Sequence, residues 1–270
     1  MEFQGVFAWS FEDMSGIDSE IAQHHINTHD HMVPIKQKLR RMRIKWLLKI
    51  KEEITKQLKV GFIKPVDQAE SVANVVPIPM KDGKVKMCVD FRDLNKACPK
   101  DDCPLPHIDV LMDNMARIVL MSFMDGFFGY NQIKMAPKGM TKTTFIIECG
   151  IHYYTVMSFG LKNAGETYQR MATTLLHDMM DNEVEVYVDD MIVKSKDRES
   201  HTINLRKFFE RIKEYRLRLN PQKCTFRVTI EKLLGFLMSD RGIEVDPSKV
   251  EAILEMPPPK SEKEIRGFLG

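Results

Sequence analysis

Two adjacent aspartates, Asp189 and Asp190, interrupt an apolar segment of this 270-residue chain. Across residues 184–193 valines alternate with polar residues, a period of two that predicts a β-strand with one buried face. Because aspartate is a poor strand former and adjacent residues point to opposite faces of a strand, we expect both acids in the turn of a hairpin. A third acid, Asp125, follows the apolar run at 119–124, which predicts another strand. If these strands are neighbours in one sheet, three carboxylates meet.

Carboxylates held together repel one another unless a cation lies between them, and hard oxygen ligands suit Mg²⁺. A pair of such ions can orient a primer 3′-hydroxyl as the nucleophile and neutralise charge on a leaving pyrophosphate. The three acids therefore favour a site for two Mg²⁺ ions, for which Mn²⁺ can substitute. A solvated turn is the alternative, because a tetrapeptide such as Tyr187-Val188-Asp189-Asp190 also occurs by chance.

The composition excludes several classes of protein. The chain has 40 basic and 38 acidic side chains, a net charge of +2, and is 43% hydrophobic, which is typical of neither a disordered polyelectrolyte nor a membrane protein. No run approaches the roughly 18 apolar residues of a membrane-spanning helix, and the chain does not open on a signal-peptide pattern. We therefore expect an intracellular protein without a targeting signal, in either the cytoplasm or the nucleus.

Charge is unevenly distributed along the chain. Residues 1–35 contain six acids and no Lys or Arg, which predicts an acidic leader or linker. Residues 36–59 contain ten basic side chains against two acids, and apolar residues recur there at steps of three and four, which predicts an amphipathic helix. The apolar positions are Leu39, Met42, Trp46, Ile50, Ile54 and Leu58. The basic face either attracts a polyanion or is an ordinary solvated surface.

Strand and helix patterns interleave along the rest of the chain. Apolar runs at 72–80 and 84–91 flank Asp82-Gly83, which favours a hairpin. Prolines predict an extended loop at 98–108 before a short helix at 110–116. Further patterns predict strands at 143–147, 153–156 and 233–238, helices around 168–179 and 201–215, and helix starts at Asp246 and Ser261. This mixture indicates an α+β fold.

Five segments resemble, in chain order, the polymerase motifs of reverse transcriptases. They are VDFRDLN at 89–95, FMDGFFGYNQI at 123–133, FGLKNA at 159–164, YVDD at 187–190 and LGF at 234–236. The resemblance is strongest to gypsy-type long-terminal-repeat retrotransposons, particularly the plant kind, and runs from about Phe7 to Gly270. Several ordered motifs are more specific than any one of them. The resemblance implies DNA synthesis from deoxynucleoside triphosphates on an RNA or DNA template with a primer.

The resemblance also implies a right-hand polymerase fold of fingers, palm and thumb, in which the palm has an antiparallel sheet packed on helices. After the leader at 1–35, it places fingers at 36–100 and 133–162, palm at 101–132 and 163–241, and the start of a thumb at 242–270. Because the chain stops soon after its last helix begins, we expect a truncated thumb. We also expect a fragment of a longer polyprotein that lacks its connection, ribonuclease H and integrase parts.

Roles at the catalytic centre follow from the same resemblance. Asp125 and Asp189 match the two principal metal ligands of the family, and Asp190 matches the third acid. Tyr130 matches an aromatic gate beneath the incoming sugar, where a ring rejects ribonucleotides by clashing with the 2′-hydroxyl. The alternative for Tyr130 is an aromatic residue of the core.

Other matches concern the nucleotide and the nucleic acid. Nucleotide contacts are implied for Phe159, Gly160, Lys81, Lys84, Lys86 and Arg92, and the resemblance leaves open which lysine contacts the triphosphate. Arg92 could equally form a structural ion pair with Asp90. Template or primer contacts are implied for Gln169, Tyr187, Leu234 and Gly235. The alternatives are a helix-surface position for Gln169 and a plain strand bulge at Gly235.

Two departures from the family pattern bear on activity. Ser71 stands where the family usually has Trp, and Ser158 where it usually has Pro. The fingers thus lose an apolar anchor, and the backbone near the nucleotide pocket is less restricted. Such substitutions are expected of a decaying copy. The alternative function is therefore an inactive relic whose basic helices bind duplex nucleic acid through its phosphates.

Overall fold

The structure is a computed structural model that describes residues 3–80, 85–115 and 118–228, and then 230–233, 236–239, 242–245, 247–256, 258, 261 and 265. Its α-helices are α1 (Ile44–Lys59), α2 (Arg92–Ala97), α3 (Ile108–Met115), α4 (Pro137–Met140), α5 (Ala164–Leu176), α6 (Arg198–Glu214) and α7 (Pro247–Leu254). Its strands are β1 (Gln23–His24), β2 (Ile63–Pro65), β3 (Ala73–Pro79), β4 (Val85–Val89), β5 (Leu120–Asp125), β6 (Lys134–Met135), β7 (Phe145–Ile147), β8 (Gly150–Tyr154), β9 (Val184–Tyr187), β10 (Asp190–Ser195), β11 (Thr225–Val228), β12 (Ile230–Leu233), β13 (Phe236–Ser239) and β14 (Gly242–Val245). Among these residues no helix is both long and apolar enough to cross a membrane.

A four-stranded antiparallel sheet in the order β11-β5-β10-β9 carries the acidic residues. Helices α5 and α6 bury one of its faces, through side chains such as Met171 and Phe208. Helix α3 covers the other face, where Met112 packs with Ile192. The expectation of a single buried face at 184–193 is therefore wrong, because the sequence pattern gave no sign that α3 would pack on the polar side. The antiparallel sheet packed on helices is as expected for the palm.

A five-stranded sheet in the order β2-β8-β7-β3-β4 lies in the segments expected for the fingers. The predicted hairpin is confirmed, since β3 and β4 pair antiparallel with Val75 opposite Val89. Its turn at 81–84 lies outside the described residues. Strands β3 and β7 pair in parallel, and Phe145 of β7 is fully buried in the core. The boundaries proposed for fingers, palm and thumb stay predictions.

The basic helix is shorter than predicted, because α1 begins only at Ile44. Residues 36–43 instead run beside β3, where the Gln37 backbone N–H donates to the Val72 carbonyl at 2.8 Å. The Gln37 and Asn74 amides also bond each other and the neighbouring backbone, which holds this stretch extended. The helix buries Leu47, Ile50 and Ile54, whereas Leu39 is 41% exposed. Apolar spacing alone did not reveal that two amide side chains would fix the first residues as extended chain.

The acidic leader is packed on the rest of the molecule, so the interpretation of residues 1–35 as a linker is wrong for the described part. Val6 and Ile17 are fully buried. Val6 and Ala8 exchange backbone hydrogen bonds with Leu219 at 2.8 and 3.0 Å, and β1 pairs in parallel with β6. Apolar residues of the leader follow no helical or strand period, so composition was the only available signal and it indicated an unpacked segment.

The C-terminal part contains two strands where the sequence predicted one at 233–238. Strands β12 and β13 pair antiparallel with Leu233 opposite Phe236, and β13 pairs in turn with β14. The apolar run was continuous enough to suggest a single strand, and residues 234 and 235 lie outside the described part of the chain. Helix α7 begins at Pro247, as the Asp-Pro pair predicted.

Candidate active site

The register of the central sheet brings two of the three predicted acids together. Strand β5 ends at Asp125, strand β10 begins at Asp190, and the two residues lie directly opposite each other across the antiparallel pair. Val188 and Asp189 form the turn that joins β9 to β10. The expectation that both adjacent acids lie in the turn is therefore half right, because Asp190 is already the first residue of a strand.

The turn is held by a buried amide from helix α5. The Val188 backbone N–H donates to Gln169 Oε1 at 2.7 Å, and Gln169 Nε2 donates to the Val186 carbonyl at 3.3 Å. Val188 has a φ of +53°, a conformation that is strained for a β-branched residue, so the turn needs such support. Gln169 is only 3% exposed, which excludes the helix-surface position considered above. Its contact with a template stays a prediction.

Burial and mutual repulsion disfavour the charged forms of two acids in this group. Burial, and then the negative charges of Asp125 and Asp190, raise the pKa of Asp189 to about 6. Burial and the Asp125 carboxylate also raise the pKa of Asp190. Asp189 Oδ1 is buried and has no hydrogen-bond partner among the described residues. Three carboxylates, one of them with an unsatisfied oxygen, are a donor set that suits a hard divalent cation.

Lys223, which the sequence gave no reason to single out, forms an ion pair with one of these acids. Its Nζ lies 3.2 and 3.0 Å from the two carboxylate oxygens of Asp125. No group of three or more acidic, histidine or cysteine side chains in the described ranges is already arranged to hold a metal ion. In the present arrangement the Lys223 ammonium group is the counter-charge of Asp125.

An aromatic wall stands beside the acids. The Tyr130 ring meets Phe159 at 6.1 Å and Tyr168 at 5.7 Å between centroids, both edge-to-face. Burial and the charge of Asp189 raise the pKa of Tyr130 to about 12. Phe159 is 57% exposed, and Lys86 Nζ lies 4.2 Å from its ring centroid, a cation–π contact. The structure thus brings Tyr130, Phe159 and Lys86 together.

The remaining predicted residues lie in different surroundings. Arg92 forms a two-pronged ion pair with Asp90, with both N–O distances at 2.7 Å, which supports the structural alternative for this arginine. Gly160 has a φ of +89°, and its carbonyl accepts a hydrogen bond from Asn95 Nδ2 at 2.8 Å. Tyr187 ends β9 and packs half-buried against the α3 cluster. Lys81, Lys84, Leu234 and Gly235 lie outside the described residues.

Gln132 is a second buried amide that the sequence did not single out. Its Nε2 donates to the Phe127 carbonyl at 2.9 Å and to the Arg218 carbonyl at 2.8 Å, while its Oε1 accepts from the Arg218 N–H at 2.7 Å. These bonds tie the loop that follows Asp125 to the segment that leads to Lys223. Gln132 belongs to the motif at 123–133, but nothing in its local sequence indicates a contact with Arg218, which is distant in the chain.

The sequence model of the family described as "Reverse transcriptase (RNA-dependent DNA polymerase)" matches residues 78–270. The chain belongs to the reverse transcriptase family. It is 32% identical along its whole length to the "Retrovirus-related Pol polyprotein from transposon opus" of Drosophila melanogaster, of which it covers 27%. It is also 28% identical over 81% of its length to the "Transposon Tf2-3 polyprotein" of Schizosaccharomyces pombe, covering 16% of that protein. The chain thus spans about a quarter or less of these polyproteins.

Solved reverse transcriptases share the fold. The foamy viral protease-reverse transcriptase in complex with dsDNA superposes with a TM-score of 0.80 at 23% identity, covering 92% of this chain and 51% of that chain. The same protein in complex with an RNA/DNA hybrid gives a TM-score of 0.78 at 21% identity, covering 96% and 36%. The resemblance to reverse transcriptases and the expected right-hand polymerase fold are confirmed.

Proposed function

We propose that this chain is the polymerase part of a gypsy-type retrotransposon Pol polyprotein, an RNA-directed DNA polymerase that adds deoxynucleotides to a primer 3′-hydroxyl. The observation that carries the proposal is the cross-strand register of Asp125 and Asp190, with Asp189 in the adjacent turn. The polyprotein context is supported by relatives that are named as polyproteins. The proposed similarity to plant retrotransposons rests on the sequence motifs alone.

The proposed chemistry needs divalent cations at the three acids. Asp125, Asp189 and Asp190 would hold two Mg²⁺ ions, which when bound activate the primer hydroxyl and neutralise charge on the phosphates. Lys223 lies against Asp125, so it can balance negative charge at the site before the ions bind. Burial and the neighbouring carboxylates raise the pKa of Asp189, and a cation bound there would stabilise its charged form.

The aromatic wall supports selection of the sugar. Tyr130 is held edge-to-face between Phe159 and the fully buried Tyr168, so its ring has little freedom to move away from a ligand. A ring fixed there would clash with a ribose 2′-hydroxyl and admit deoxyribose. Three fingers lysines are candidates for contact with a triphosphate, and Lys86 is the one that lies within the described residues. Its Nζ lies over the exposed Phe159 ring.

The nucleic-acid substrate is proposed from the likeness to solved reverse transcriptases. Foamy viral reverse transcriptase has been solved with dsDNA and with an RNA/DNA hybrid, and we propose a primed RNA or DNA template for this chain. The basic segment at 36–59, whose lysines and arginines are mostly exposed, would contribute to binding through phosphates.

Primer extension on an RNA template tests the proposal. Purified chain should extend a DNA primer with dNTPs in Mg²⁺ or Mn²⁺, and chelation should stop the reaction. Asp189→Asn should lower the rate by at least about 100-fold. Loss of a residue that only hydrogen-bonds a metal ligand already costs 10–100-fold in metal affinity or activity. The control Asp178→Asn removes an exposed acid that pairs with Arg211 away from the site, and it should leave the rate unchanged.

Two outcomes would contradict the proposal. Extension that persists in Asp189→Asn would show that the assigned acids are not the catalytic ones. A wild-type chain that binds duplex in a salt-dependent way but never extends a primer would favour the inactive relic instead.

A further inference from the structure

The Tyr168 hydroxyl is a buried polar group that the proposed chemistry does not yet use. Tyr168 lies on α5 and its side chain is fully buried. Neither its hydroxyl nor Asp189 Oδ1 makes a hydrogen bond with any residue that the structure describes. Burying a hydroxyl without a partner is destabilising, and a phenylalanine would fill the same space without that cost. An unsatisfied group of this kind in a folded protein requires an explanation.

The hydroxyl and the carboxylate oxygen face the same small space. A methyl group built at Gly129 would lie 3.1 Å from Asp189 Oδ1 and 3.2 Å from the Tyr168 hydroxyl. The two oxygens are therefore separated by no more than the sum of these two distances, which one bridging water can span. A methyl group at Gly126 would lie only 2.9 Å from the hydroxyl. Two glycines of the loop after Asp125 thus leave the room that this hydroxyl occupies.

We propose that Tyr168 is a positioning residue for the cation site: its hydroxyl donates a hydrogen bond to Asp189 Oδ1, directly or through one water, and so orients that carboxylate toward a divalent cation. This inference rests on the proposed function, which makes Asp189 a metal ligand. Gln169, the next residue, holds the backbone of the same turn. Adjacent residues of α5 would therefore fix both the backbone and the side chain of the turn that carries Asp189.

The competing explanation is that Tyr168 only fills the core. In that case Tyr168→Phe removes an unpaired buried hydroxyl, which should leave the protein equally or more stable and leave cation binding unchanged. The positioning role predicts weaker cation binding, because residues that hydrogen-bond a metal ligand are worth 10–100-fold in affinity. It also predicts no gain in metal-free stability, because Asp189 Oδ1 loses its donor. Cation affinity therefore separates the two explanations, and a raised metal-free stability would count against the positioning role.

The test measures Mn²⁺ affinity of the purified full chain by electron paramagnetic resonance, together with thermal unfolding without metal. Tyr168→Phe should weaken Mn²⁺ binding 10–100-fold without raising the melting temperature of the metal-free protein. Tyr154→Phe is the matched control, because Tyr154 is also buried, but in the fingers sheet against Phe145. It should bind Mn²⁺ as the wild type does. Unchanged Mn²⁺ affinity in Tyr168→Phe would overturn the inference.

A second variant approaches the hydroxyl from the opposite side. Gly126→Ala places a methyl group against it, so this variant should also weaken Mn²⁺ binding, and adding Tyr168→Phe should weaken binding no further. Fully additive effects would contradict the shared contact. Asp189→Asn separates this inference from the proposed function. If that variant binds Mn²⁺ like the wild type, the assigned metal site itself is wrong, whereas failure of Tyr168→Phe alone removes only the positioning role.

Discussion

A buried ion pair lies within the hairpin that carries the acidic residues, and removing one of its partners should strongly destabilise the fold. Lys194 Nζ lies 2.5 Å from Glu185 Oε1, and the two side chains are only 4% and 5% exposed. Lys194 Nζ also donates to the Asn114 carbonyl of α3 at 3.1 Å. The pair therefore joins β9, β10 and α3 on the face of the sheet that the sequence pattern did not predict to be buried.

Lys194→Met leaves the Glu185 carboxylate buried without a counter-charge, for which the expected cost is about 3–5 kcal/mol. That is a large share of the roughly 5–15 kcal/mol by which a typical domain is stable. The double variant Glu185→Leu with Lys194→Met removes both charges, so its stability should lie much closer to that of the wild type. The exposed pair Lys207–Glu183, with a 2.9 Å contact and a lysine that is 53% exposed, provides the control. Lys207→Met should cost no more than about 1 kcal/mol.

Urea unfolding followed by fluorescence and circular dichroism measures these changes, provided that both probes give one transition. The two single variants and the double variant form a cycle that isolates the interaction between the two side chains. A smaller loss of stability in Lys194→Met than in Lys207→Met would refute the predicted cost of the unpaired Glu185 carboxylate. A double variant that loses as much stability as the two single variants together would refute it as well.

Two further predictions concern groups outside the central hairpin. Burial holds the pKa of His24 at about 4, below its usual 6.5, so the unfolded chain takes up the proton first and about 3 kcal/mol of stability should be lost between pH 6.5 and 4. His24→Asn should flatten this loss in urea unfolding at several pH values, whereas a flat profile for the exposed control His25→Gln would contradict the assignment. Ser71 lines a pocket beside Phe91 that is open to solvent, so Ser71→Trp should bury apolar surface there and raise the free energy of unfolding by about 1–2 kcal/mol. A urea midpoint no higher than that of Ser71→Ala would show that the indole does not fill the pocket.

The parts of the site that the sequence predicted are those encoded by local patterns. An apolar run placed Asp125 at a strand end, and the period of two at 184–193 placed Asp189 and Asp190 at a hairpin turn, an error of one residue for Asp190. The residues that the sequence missed act across long separations. Gln132 bonds the backbone of Arg218, and Lys223 reaches Asp125, contacts between segments some ninety residues apart that no local period announces.

The same limit explains the errors in the elements. The apolar periodicity at 36–59 does mark a helix, α1. Residues 36–43 are nevertheless extended, because the side-chain hydrogen bonds between Gln37 and Asn74 compete with helix formation there. The polar positions of β9 and β10 were expected to face water, yet Glu185 and Lys194 satisfy each other beneath α3. Pairing of buried polar groups depends on three-dimensional neighbours, which one sequence does not supply.

The contact between the leader and Leu219 has a consequence for how the chain acquires its fold during synthesis. Val6 and Ala8 find their backbone partner roughly two hundred residues later in the sequence. At 5–20 residues per second, a ribosome needs on the order of ten to forty seconds to deliver that partner. Throughout this interval Phe3, Val6 and Phe7 lack the surface on which they are finally covered. These leader residues thus have tens of seconds in which to meet chaperones or to aggregate before their backbone partner emerges from the ribosome.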